Sequence, residues 1–66
     1  MPHIQITLLD GRTMEQKRRA AKRITEVMQE ELGAPAENLT IAFVEVPREN
    51  YARNGMLISD REGAGK

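Results

Sequence analysis

Two residues near the head of the chain are of types that can do chemistry together. Pro2 follows the initiator methionine, and Arg12 follows a strand-like run closed by Asp10-Gly11. A small second residue allows Met1 to be trimmed, leaving Pro2 with a free secondary amine. Such an amine is a base and a nucleophile of a kind no side chain supplies. Pro2 falls on the same alternating face as Ile4, Ile6 and Leu8, so a trimmed amine meets apolar neighbours. Desolvation and approaching arginines both disfavour the protonated amine and lower its pKa. A base poised near neutral pH is what proton abstraction beside a carbonyl requires. The plain alternative is a proline opening an edge strand, where its missing N–H costs nothing.

Arginine is the natural companion of such a base. Its planar fork holds a carboxylate through two parallel bonds and stabilises the enolate as the proton leaves. Arg12, Arg48 and Arg53 are the candidates, with Arg48 read as an ordinary surface charge. Tyr51 can wall a small pocket or donate to a carbonyl oxygen, or simply pack at a hairpin. His3 alternates away from Pro2 and receives no role. Glu45 and Glu49 are the nearby carboxylates that could activate water if the reaction were a hydration.

The elements that must position these groups follow from pattern. Residues 3–9 alternate, with His3, Gln5 and Thr7 opposite the apolar face, and Asp10-Gly11 ends the strand in a turn. Thr13 and Gln16 stand at capping-box spacing, opening a helix over roughly 13–32. Its apolar stripe is Ala20, Ala21, Ile24, Val27, Met28 and Leu32; Gly33 is placed for the left-handed C-terminal position and Pro35 prevents resumption. Leu39 to Val46 reads as a strand apolar on both faces at its centre, stopped by Pro47. Strand, helix, strand predicts a right-handed crossover with parallel strands. Asn54-Gly55 between Tyr51 and Met56-Leu57-Ile58 predicts a short hairpin laid on a neighbouring subunit, and residues 63–66 are expected to fray. The fold class is α+β in a single domain spanning 1–66.

Composition narrows the function. Ten basic and ten acidic side chains cancel, so no net field draws in nucleic acid or an anionic membrane. No apolar run approaches the ~20 residues of a membrane span. No basic-then-apolar leader opens the chain, so cytoplasm is the expected location. Without cysteine, disulfides and thiolate metal sites are excluded, and one histidine cannot build a metal cluster. A core this small needs a brace, which leaves self-association. The helix carries Lys17, Arg18, Arg19, Lys22 and Arg23 in its first half and Glu26, Glu30 and Glu31 in its second, against its own dipole. Pairs such as Glu15–Arg19 and Lys22–Glu26 soften this. Either the face is solvated, or two helices pair antiparallel across a two-fold axis, basic half on acidic half.

These pieces together resemble a family. Pro2, the run Leu9-Asp10-Gly11-Arg12-Thr13-Met14-Glu15-Gln16-Lys17, Gly33-Ala34-Pro35, and the tail Asn50-Tyr51-Ala52-Arg53-Asn54-Gly55 resemble 4-oxalocrotonate tautomerase and its small relatives to about residue 62. The resemblance implies β-α-β units paired into dimers, with a four-stranded sheet under two antiparallel helices, and three dimers in a homohexamer. It implies an isomerase without cofactor, in which the Pro2 amine moves a proton in a small enol or keto acid. Arg12 would bind the substrate carboxylate and Tyr51 would line the pocket. This chain departs from the family in having Thr40 where a second arginine polarises the carbonyl, and Arg53 is the candidate substitute. A hydratase- or dehalogenase-type relative using Pro2, and a non-catalytic oligomeric binding protein, are the alternatives. Retention of Met1 would favour the last.

Overall fold

β1 forms at His3–Leu9, where apolar and polar residues alternate, and Ile4, Ile6 and Leu8 are the half-buried set. The structure, a computed structural model, describes residues 2–64; processing of Met1 and the fate of residues 65 and 66 lie outside the described residues.

The Asp10–Thr13 turn leads into α1, Met14–Leu32. Thr13 is extended, its hydroxyl accepts from the Gln16 amide at 3.1 Å, and its amide donates to Gln16 Oε1 at 2.9 Å. Two otherwise orphaned amides are thus satisfied reciprocally, which is why the helix starts here. It ends at Gly33, left-handed at φ 67°, whose amide reaches the Gln29 carbonyl at 3.1 Å, while the Ala34 amide reaches Met28 at 3.5 Å. A residue with a Cβ resists that conformation, and glycine does not.

A single 3₁₀ turn, Ala36–Asn38, feeds β2, Thr40–Val46. β1 and β2 run parallel in register from His3 against Thr40 to Leu9 against Val46. A second 3₁₀ turn, Arg48–Asn50, leads to β3, Ala52–Arg53, and antiparallel β4, Met56–Leu57. Asn54 and Gly55 both have positive φ, 54° and 79°, the geometry of a two-residue hairpin turn whose twist matches its strands.

Four details of the single chain bear on these expectations. α2, Ile58–Ala64, carries helical backbone through Gly63 and Ala64, the first two of the residues expected to fray; its first amide donates to the Tyr51 carbonyl at 2.8 Å. The helical stripe is narrower than its apolar spacing suggests: Ala20, Ala21, Ile24 and Met28 are half-buried, but Val27 is 54% and Leu32 66% exposed. Within the single chain β2 is open on one side, with Val44 40% exposed. Glu15 pairs with Arg18 at 3.9 Å, a three-residue step, where Arg19 was expected. The middle two share one cause. One helix over two strands is too small to close a core, and among the described residues Ala34 alone is buried. The radius of gyration, 15.6 Å, exceeds the about 11 Å of a compact chain this long.

Candidate active site

A parallel sheet has two ends, and the chemically able residues divide between them. At the N-terminal end stands Pro2, half-buried, its carbonyl accepting from the Thr40 amide at 3.2 Å. Beside it, on the opposite sheet face from Ile4, His3 Nδ1 and Thr40 Oγ1 share a hydrogen bond of 2.7 Å. His3 thus has a partner that the sequence reading did not give it. The register of β1 on β2 creates that pair, and Thr40 is spoken for by it.

At the C-terminal end, Arg12 stands over an open hollow of about 300 Å³ lined by Ile6, Leu8, Gln16, Lys17, Ala20 and Phe43. Ile6 and Phe43 are register partners, so one sheet face and the first turns of α1 form an apolar floor. Arg12, Gln16 and Lys17 supply its polar rim. Such a hollow can hold a small apolar body while a cation takes a carboxylate at its mouth. Lys17 is tied down: Nζ lies 2.8 Å from Glu45 Oε1, with both side chains about two-thirds or more covered. Glu45 is Leu8's register partner, which puts it on the helix-facing side. This ion pair is the main feature of the site that sequence reasoning missed. A helix packed back over its strands sets its first turn above their C-terminal ends, so the signal was a lysine in that turn and a glutamate near the end of β2.

Arg48, read as a surface charge, instead spans from β2 to β1. Its Nη1 donates to the Asp10 carbonyl at 3.1 Å and to Asp10 Oδ1 at 3.0 Å. Tyr51, 41% exposed, follows the Arg48–Asn50 turn, and Arg53 is the last residue of β3. Neither lines the hollow under Arg12.

Within one chain, Pro2 and Arg12 do not meet. Seven strand residues at ~3.3 Å each put roughly 20 Å between the ends of β1. Among the sequence candidates, the single chain sets Arg12 on the hollow and brings none of Pro2, Tyr51 and Arg53 into its lining.

Comparison with known proteins agrees with this architecture. The family described as tautomerase enzyme matches residues 2–61. A 2-hydroxymuconate tautomerase of Bacillus subtilis is 37% identical over 62 residues, covering 94% of this chain and 100% of its own. The crystal structure of a 4-oxalocrotonate tautomerase homologue superposes with a TM-score of 0.87 at 40% identity, covering 91% of this chain and 95% of that one. A heterohexameric 4-oxalocrotonate tautomerase from Chloroflexus aurantiacus superposes with a TM-score of 0.84 at 25% identity, covering 91% and 97%. With its parallel β-α-β unit, capped helix and C-terminal hairpin, the chain belongs to the tautomerase family, as an isomerase of the 4-oxalocrotonate tautomerase kind.

Proposed function

We propose that this tautomerase works without a cofactor, using the amine of Pro2 as general base on a small enol or keto acid. Arg12 binds the substrate carboxylate, and Tyr51 and Arg53 complete the pocket. The observation that carries this reading is the hollow under Arg12, apolar at its floor and cationic at its rim. In ketonisation the amine accepts the proton of the enol hydroxyl and returns it to carbon. The C=C bond is lost as C=O forms, and no oxidant or reductant enters. Arg12 on the carboxylate supplies binding, and a cation at the carbonyl, for which Arg53 is the candidate, stabilises the charge that builds on its oxygen.

Since β1 puts roughly 20 Å between its ends, with Pro2 at one and the Arg12 turn at the other, the amine of one copy works against the hollow of another. A homo-oligomer is then part of the active site, and a hexamer, a trimer of dimers, fits the heterohexameric relative. Substrates resembling 2-hydroxymuconate or phenylenolpyruvate suit the site, with the cytoplasm as the place of action. A hydratase reading needs a carboxylate to activate water, and Glu45 is engaged by Lys17 at 2.8 Å.

The test is ketonisation of phenylenolpyruvate by protein shown by mass spectrometry to start at Pro2, against a Pro2→Ala variant. Loss of a base contributes about 10²–10⁴-fold, so the variant should fall by at least about a hundredfold. Equal rates would remove the catalytic role of the amine.

A further inference from the structure

Arg12 leaves the backbone from a turn gripped on both sides. Downstream, the Thr13–Gln16 box holds the next residue through bonds of 2.9 and 3.1 Å. Upstream, Asp10 is bound to the end of β2 three times. Its amide donates to the Val46 carbonyl at 3.1 Å, and Arg48 Nη1 donates to its carbonyl oxygen at 3.1 Å and to Oδ1 at 3.0 Å. Between the grips stand Gly11, at φ 122°, and Arg12 itself. Apart from its own chain neighbours, no atom lies within 4 Å of where a Gly11 Cβ would be. Glycine has little intrinsic preference for one backbone conformation, so the direction of Arg12 depends on its anchored neighbours.

We propose that Arg48, through Asp10, is the positioning residue for Arg12, aiming its guanidinium over the hollow. The inference rests on the reading of Arg12 as the carboxylate-binding group. It assigns work to a contact that would otherwise pass for a surface ion pair. With side chains 39% and 51% exposed, the pair contributes little to folding. Its consequence is geometric: one guanidinium nitrogen, Nη1, from the turn after β2 holds two oxygens of Asp10, 38 residues earlier in sequence, and clamps the turn that bears the binding cation. Small misplacements of binding groups cost far more in catalysis than in stability.

Steady-state ketonisation of phenylenolpyruvate by the full trimmed chain tests this with Arg48→Ala, Arg12→Ala and the double variant. Arg48→Ala should raise KM about tenfold with kcat held within about twofold. Its unfolding midpoint should stay near that of the parent. The double variant should be no worse than Arg12→Ala alone, because nothing remains to be positioned. Arg48→Lys, which keeps the charge but not the guanidinium's shape and reach, should raise KM about three- to fivefold, and it decides the matter if the alanine variant fails to fold. A KM within about twofold of the parent in a folded Arg48 variant would overturn the proposal. So would a double variant that loses the Arg48 factor again on top of Arg12→Ala. An unchanged KM in Arg12→Ala alone marks a different failure: it removes the carboxylate role beneath the proposal, and the proposal with it.

Discussion

At the scale of the residue, the proposed division of labour among the cations separates binding from turnover. Arg12 overhangs the hollow, Arg48 is committed to Asp10, and Lys17 to Glu45. Arg53, on the hairpin, is the remaining candidate to polarise the carbonyl in place of the arginine the family carries at position 40. Thr40 cannot do that work as a cation, and its hydroxyl is bonded to His3 at 2.7 Å. Arg53→Ala should therefore lower kcat by about tenfold or more, while Arg48→Ala acts on KM. Measuring both constants with one enol acid separates the two; an unchanged kcat in Arg53→Ala ends its catalytic candidacy.

At the scale of the element, α1 is specified locally at both ends and loosely along its length. Its start depends on Thr13 and Gln16, and its stop on Gly33. Losing an N-cap hydroxyl costs about 1 kcal/mol, so Thr13→Ala should lower stability by about that amount in denaturant unfolding. Thr13→Ser should restore most of it. A Thr13→Ala variant as stable as the parent would mean that association, and not the cap, holds this end of the helix. The hairpin turn was equally readable, because Asn-Gly at positive φ is a two-residue signal. α2 was not: Ser59, Asp60 and Gly63 are weak helix formers, and seven residues are too few to hold a helix alone. The Ile58 amide on the Tyr51 carbonyl and the packing of α2 on the Arg48–Asn50 turn give it its place.

At the scale of the whole molecule, the single chain is an unfinished object. Met14, Val27, Leu32, Val44 and Met56 are all at least 40% exposed, on a body 46 Å long and 15 Å thick. Large apolar side chains left open at several places mark surfaces to be covered. The basic first half and acidic second half of α1 suit an antiparallel partner helix. If folding and association are linked, the thermal midpoint rises with protein concentration. Changing Glu26, Glu30 and Glu31 to Gln should shift sedimentation towards smaller species. A concentration-independent midpoint with unchanged assembly would show that this charge pattern is only a solvated face.

By itself the sequence determined what short-range chemistry can write: a strand by alternation, a helix by its cap and stripe, a turn by Asn-Gly. It also put Pro2 and Arg12 at opposite ends of one strand, since strand length is a count of residues. Only the tertiary structure decided which distant groups meet. Lys17 on Glu45, Arg48 on Asp10 and His3 on Thr40 join residues 28, 38 and 37 positions apart. Each depends on the pairing register of β1 with β2, and a slip of one residue would turn Glu45 and Thr40 to the wrong faces. Register is settled by the sum of all contacts between the strands, and no short stretch of sequence carries that sum.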